Sequence, residues 1–309
     1  MLSELPSSST SSKREGRVRV GAVEIAYDVR GSGEPLLLIP GLSMRRTFWP
    51  DGLCNALAGT GLCVVRMDNR DAGDSSRIDA PPPDIPSTLR RVLFGLSVDV
   101  PYRLEDMAED AFGLMSALGH ESFHVAGASM GGMIAQTMAL LRPERLRTMT
   151  SVMSSPGGRR YSVGKVSALR ALLTPLPSER DAQIERLVET FRLLNGDAFP
   201  FDEAAARTLA VGQVDGGTSP VASARHLGAI FESSGRRRAQ LRYVKTPTLV
   251  IHGSQDPLLP LRGAVAMERL IPGAELLVIR GMGHGFPAPV TPLLAGAIAT
   301  HARKVGLRR

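Results

Sequence analysis

The chain has 309 residues, 43% hydrophobic and 22% charged, which suits one large domain with an insertion or two smaller domains. Its 37 Lys and Arg against 30 Asp and Glu give a formal net charge of +7, but the basic residues are scattered and aromatics make up only 5%, which argues against a nucleic-acid platform. No run of about 18 apolar residues occurs, so no membrane-spanning helix is expected.

Residues 1–16 are polar and Ser-rich and read as a disordered tail. They lack the apolar stretch of a signal peptide, so the expected setting is cytoplasmic. Residues 17–20 and 23–30 alternate as two short strands around a Gly-Ala turn. Residues 35–40 are a continuous apolar run, as a strand covered on both faces requires. A helix is predicted near 53–58 and a buried strand over 63–67. Cys54 falls in that helix and Cys63 opens that strand. The two are the only cysteines, show no metal spacing and read as buried thiols. Residues 77–101, with Pro81-Pro82-Pro83, read as an irregular segment that could fold near the mouth of a site. Residues 104–118 carry Leu104, Met107, Ala108, Ala111, Leu114, Met115 and Leu118 on one helical face.

A strand over 123–127, a helix over 130–141 and a strand over 146–153 follow. The strand signal then disappears until Thr246. Helical patterns take its place, over 178–194 and 202–211. Residues 156–240 are therefore expected to form a helical cap, its charges mostly on a solvated face. The cap would be inserted into a core domain of residues 17–155 and 241–309. Strands over 246–253 and 275–279 complete an alternation that implies an α/β fold: a mostly parallel sheet with helices on both faces.

The chemistry centres on Gly127-Ala128-Ser129-Met130-Gly131. Here a strand runs into a helix through one serine, a strained turn that lifts the hydroxyl above the sheet edge. The helix N-terminus behind it presents free N–H groups that favour an oxyanion. A serine hydroxyl needs a base. His284, in Gly281-Met282-Gly283-His284-Gly285-Phe286, follows the last strand and falls at the same edge. The other five histidines are worse placed: His120 in a turn, His124 inside a strand, His226 in the cap, His252 before the acid loop and His301 in the last helix. Asp256, in Gly253-Ser254-Gln255-Asp256-Pro257, follows the preceding strand and would orient the base. The order Ser129, Asp256, His284 is the one expected of a nucleophile on such a sheet. Two backbone donors are needed for the oxyanion. Met130 N–H is one, and Leu42 N–H, from the loop after residues 35–40, is the chosen second.

These features resemble the α/β-hydrolase superfamily over residues 17–305. Asp68-Asn69-Arg70-Asp71-Ala72-Gly73-Asp74-Ser75 resembles the family's D-x-R-x-x-G-x-S turn. Leu38-Ile39-Pro40-Gly41 resembles its oxyanion strand, with Pro40-Gly41 where His-Gly is common. That departure leaves the backbone donors intact and removes an imidazole from behind them. Phe48-Trp49-Pro50-Asp51, taken with that turn and the serine pentapeptide, is similar to the bacterial polyketide methylesterases of the aclacinomycin type. The resemblance implies an eight-stranded, mostly parallel sheet with an inserted helical cap, and a serine hydrolase without cofactor or metal.

Its implied substrate is a small-molecule carboxylic ester, lactone or thioester; neither nucleic acid nor membrane is an expected partner, and a homodimer is compatible with the sequence. Met44, Trp49, Met153 and Phe286, with Leu42 and Met130, are the expected apolar lining. Ser129 sets aside relatives that use Asp as nucleophile. Perhydrolase, hydroxynitrile lyase and acyltransferase chemistry stay open, as does a non-catalytic receptor on the same fold.

Overall fold

The computed structural model describes residues 13–217 and 219–306. Its centre is an eight-stranded sheet in the order β1-β2-β4-β3-β5-β6-β7-β8. The strands are β1 (Arg14–Val20), β2 (Val23–Arg30), β3 (Glu34–Ile39), β4 (Leu62–Met67), β5 (Phe123–Ala128), β6 (Leu146–Val152), β7 (Thr248–Gly253) and β8 (Glu275–Ile279). β1 and β2 run antiparallel to their neighbours and every other pairing is parallel. β1 starts at Arg14, three residues earlier than the alternation suggested. Arg14, Glu15 and Gly16 pair with Val29, Asp28 and Tyr27, so the hairpin register carries this charged edge strand past its apolar part. The rest of the expected tail, residues 1–12, lies outside the described residues.

The apolar runs divide by parity. Leu37 and Ile39 join Val65, Met67, Val125 and Met149 in a core under α3 (Leu104–Ala117) and α4 (Met130–Leu141). Leu36 and Leu38 join Val64, Ala126, Val152 and Ile251 on the other face, against α1 (Asp51–Ala58) and α11 (Thr291–Gly306). A strand with two buried faces needs an unbroken apolar run, since successive side chains point to opposite sides. Cys54 and Cys63 are both buried, and burial pushes the Cys54 thiol up to about 11. α10 (Leu261–Leu270) links β7 to β8.

The segment after β4 is more ordered than its prolines suggested. It contains α2 (Ile85–Leu93), with Asp84 as N-cap accepting the Ser87 N–H at 2.9 Å and Pro86 in the first turn. Proline is tolerated there because the first N–H groups have no intrahelical acceptor.

Among the described residues between β6 and β7 the regular elements are helices: α5 (Arg159–Ser162), α6 (Val166–Leu173), α7 (Arg180–Leu194), α8 (Glu203–Asp215) and α9 (Pro220–Gln240). α7 and α8 share a small core of Ile184, Leu187, Val188 and Ala210. α9, the longest of these, buries Ala222, Arg225, His226, Leu227, Gly228, Ala229, Ser233 and Arg237. Most of that face is small or polar. The expectation that the charges of this segment face solvent therefore fails on α9, where Arg225 and Arg237 point inward.

Candidate active site

β3 and β5 are neighbours, and the chain leaves them in opposite directions across the sheet. Such a switch point opens a crevice at the carboxyl ends of the strands. Ser129 stands there, between β5 and α4, with φ 54° and ψ −116°. A non-glycine residue in such a conformation costs about 1–3 kcal/mol and persists only when its surroundings hold it. Its N–H donates to Val152 O at 2.9 Å, and its carbonyl accepts from Gly132 N–H, Met133 N–H and Ser154 Oγ. A Cβ on Gly127 would come within 2.0 Å of Gly131 O, and one on Gly131 within 2.1 Å of Ile39 O. The two glycines let the helix start this close to the strands.

Asp256 and His284 follow β7 and β8. His284 Nδ1 lies 2.7 Å from Asp256 Oδ2. With the Nδ1 proton donated to the carboxylate, Nε2 keeps its lone pair and can act as a base. Asp256 Oδ1 accepts the Leu258 and Leu259 N–H groups at 2.9 and 2.8 Å. Burial pushes the Asp256 pKa up, but His284, and to a lesser extent His252 and the Leu259 N–H, outweigh it and hold the carboxyl below its ordinary range. A second imidazole, His252, lies 3.6 Å from Asp256 Oδ2, but its Nε2–H donates to Leu259 O at 2.8 Å. Burial pushes the His252 pKa down, so the carboxylate faces one partner positioned for proton transfer.

The helices between β6 and β7 hold the His284 loop. His284 N–H donates to Leu194 O at 2.7 Å and Gly283 N–H to Asn195 O at 3.0 Å, both at the C-terminal end of α7. The acid loop is tied to the same stretch, since Asp197 N–H donates to Gln255 Oε1 at 2.7 Å.

The loop after β3 turns at Gly41-Leu42-Ser43-Met44, closed by Met44 N–H to Gly41 O at 3.2 Å. It packs directly on Ser129, since a Cβ on Gly41 would stand 3.4 Å from Ser129 Cβ. Ser43 has φ 57°. Each of its polar groups meets a side chain of the insertion. Its N–H donates to His226 Nδ1 at 3.1 Å, its carbonyl accepts from Gln213 Nε2, and its Oγ lies 2.7 Å from Ser223 Oγ. Met130 N–H stands at the first position of α4, where no intrahelical acceptor exists. Met130 follows Ser129 directly, and Leu42 lies in the turn next to Gly41, which packs on Ser129.

The expected lining divides. Met44 and Phe286 are partly exposed, whereas Trp49 and Met153 are fully buried. Trp49 stacks on Phe286 with centroids 4.8 Å apart, and Phe48 tilts against the same ring at 5.2 Å. These rings join the His284 loop to the loop after β3. Reasoning from sequence missed Gln213, Ser223, Arg225 and His226. A signal was present: residues 222, 225, 226, 229, 233 and 237 recur at helical spacing as one stripe of small and polar side chains. Among the described residues no group of His, Cys, Asp and Glu could hold a metal ion, and no helix is long and apolar enough to cross a membrane.

Comparison with known proteins agrees with this architecture. A family model described as the alpha/beta hydrolase fold matches residues 34–287. The chain is 33% identical over 291 residues to rhodomycin D methylesterase DauP of Streptomyces sp. (strain C5), covering 87% of this chain and 91% of the relative. The same figures hold for rhodomycin D methylesterase DnrP of Streptomyces peucetius. Among solved structures, a meta-cleavage product hydrolase from Pseudomonas fluorescens IP01 superposes with a TM-score of 0.74 at 20% identity, covering 94% of this chain and 97% of that one.

Proposed function

Because the chain belongs to the α/β-hydrolase fold family, we propose that it is a carboxylic ester hydrolase working through an acyl-enzyme on Ser129. The observation that carries this reading is the His284 Nδ1 to Asp256 Oδ2 bond of 2.7 Å, made by loops at the sheet edge where the strained Ser129 stands. The similarity to two methylesterases supports an ester, and a methyl ester first, as the substrate.

In this mechanism Ser129 Oγ attacks the acyl carbon while His284 Nε2 takes its proton. The tetrahedral oxyanion is held by the Met130 and Leu42 N–H groups. His284 then returns the proton to the leaving alkoxide, and the alcohol departs. Water, deprotonated by His284, attacks the acyl-enzyme, and collapse releases the carboxylic acid and free Ser129. Helices α5–α9 act as the cap over the site, with Leu42, Met44 and Phe286 giving an apolar surface for a small, largely apolar acyl group.

The test is labelling by a fluorophosphonate together with turnover of p-nitrophenyl acetate and of methyl esters. Wild-type protein is expected to be labelled at Ser129 and to cleave the esters. S129A is expected to lose labelling and to drop in kcat by roughly 10⁴- to 10⁶-fold. Undiminished turnover in S129A would remove Ser129 as the nucleophile. Tight binding of small molecules without labelling or turnover would favour a receptor instead.

A further inference from the structure

We propose that His226, carried by α9, is a positioning residue for the oxyanion loop: by accepting the Ser43 N–H it holds the Gly41–Met44 turn, which carries the Leu42 N–H, in the form that packs on Ser129. The inference rests on the reading of Leu42 and Met130 as donors beside a nucleophilic Ser129.

The turn at 41–44 places Ser43 at φ 57°, a state that serine adopts reluctantly. A turn with positive φ at its third residue differs from the commonest β-turn by a flip of the central peptide, which would return that residue to negative φ. Here the central peptide is Leu42–Ser43. Flipping it would swing the Ser43 N–H away from His226 Nδ1, 3.1 Å distant. The bond therefore selects the strained form of the turn and fixes the backbone on the C-terminal side of the Leu42 donor.

The imidazole is itself immobilised. Its Nε2–H donates to Arg70 O at 2.8 Å, and its ring meets Tyr102 edge-on with centroids 6.2 Å apart. Next to it on α9, Arg225 is locked to Asp71 by two hydrogen bonds of 2.7 and 2.8 Å. The two bonds of His226 set its tautomer: the proton sits on Nε2 and the lone pair on Nδ1. Complete burial holds the ring neutral, with a pKa lowered to about 4, so the acceptor persists at neutral pH. Gln213 and Ser223 take the other polar groups of Ser43. Residues 170 to 183 positions away in sequence thus hold a loop that packs on Ser129.

The test compares H226F, which fills the space without an acceptor, with H226N, whose Oδ1 can stand in for Nδ1. The probes are the phosphonylation rate of Ser129 by a fluorophosphonate and the kcat and KM for p-nitrophenyl acetate. Because both reactions develop charge on an oxygen in the hole, H226F is expected to fall roughly 10- to 100-fold in phosphonylation rate and in kcat, with KM changed less than about threefold. H226N is expected to recover to within about fivefold of wild type although it loses the Arg70 bond. Thermal unfolding identifies the folded variants.

Wild-type rates in folded H226F overturn the proposal, as does a rise in KM with kcat unchanged. Should H226F fail to fold, H226A, which removes the acceptor without crowding the space, keeps the question decidable: a fall of about threefold or more in phosphonylation supports the role of His226, and wild-type rates overturn it. If wild-type protein is not phosphonylated at Ser129, the hydrolase reading and this proposal fall together. Normal wild-type labelling with unchanged variants removes only the positioning role.

Discussion

The sheet and helix α9 meet at one site but are built on opposite principles. β3, β4 and β5 bury almost unbroken apolar runs, and their packing is strong and non-directional. α9 buries Arg225, His226, Ser233 and Arg237 beside Ala222, Leu227, Gly228 and Ala229, and these polar side chains are held by hydrogen bonds. Arg237 is an extreme case: its partners are Gln136 Oε1, Ser233 Oγ and Ser155 O, all neutral, and burial pulls its pKa down to about 10. A polar interface of this kind is satisfied in one docked geometry only, because sliding the helix would leave buried donors unpaired. The sheet supplies rigidity, and the insertion supplies the location of the base loop and of the loop after β3.

The largest effect tests the sheet side. Asp256→Asn keeps an acceptor for the Leu258 and Leu259 N–H groups but presents an amide to His284 Nδ1, which forces the wrong tautomer. A loss of kcat of roughly 10⁴-fold on p-nitrophenyl acetate is expected, with the circular dichroism spectrum unchanged. A loss under about tenfold would mean that the sheet loops do not hold the base as described.

The next effect tests the insertion. Asp71 accepts from Arg225, the Ile78 N–H and Tyr102 Oη. Burial raises its pKa, but Arg225 and these donors bring it below the ordinary range. Arg225→Met strands this buried carboxylate and is expected to cost about 3–5 kcal/mol in urea unfolding. The double variant D71N/R225M is expected to lose less than R225M alone. Equal losses would show that α9 is docked by shape rather than by this pair.

The difference between the two regions also explains what was legible in the sequence. Apolar runs and glycine spacing report burial directly, so β2, β8 and α4 coincide with the residues expected, and the other strands shift at their ends by one to three residues. Ser129, Asp256 and His284 could be named because each follows a strand at one edge. α9 was not singled out, because its buried stripe is polar and an amphipathic reading assigns polar residues to solvent. His226 was set aside because it falls in the cap, away from the strand ends where a base would stand. Nothing local marks a histidine whose partners, Ser43 and Arg70, lie more than 150 positions away. α2 was hidden by prolines that happen to suit a helix start.

Acid stability compares one buried histidine from each region. His124 in β5 bonds Thr148 Oγ1 at 2.8 Å, and His226 bonds Ser43 and Arg70. Burial lowers both pKa values to about 4 from an ordinary 6.5. The unfolded chain therefore binds protons that the folded chain refuses. The stabilisation is fully present above about pH 6.5 and is lost as pH falls towards 4. Each histidine is expected to remove on the order of 2 kcal/mol between pH 7 and pH 5, read as a falling urea midpoint. H226N should remove the share of that fall that belongs to His226, while His124 and the other buried histidines, His252 and His301, whose pKa values burial also lowers, keep the rest. An unchanged slope would assign the effect to those other histidines alone.

The smallest effect tests where within the insertion polarity matters. Arg180 on α7 pairs with Asp215 on α8 at 2.7 Å, but both side chains are about half exposed. Exposed pairs gain little, because water and salt screen them and two long side chains must be ordered. α7 and α8 are joined underneath by Ile184, Leu187, Val188 and Ala210, which do not depend on that pair. Arg180→Ala is therefore expected to leave both the urea midpoint and the turnover of p-nitrophenyl acetate at wild-type values. This outer surface is the part of the insertion where polar residues do face solvent, as the sequence pattern implied. A loss in R180A approaching that of R225M would mean that burial does not sort the insertion's ion pairs. The contrast between the outward faces of α7 and α8 and the inward face of α9 would then fail with it.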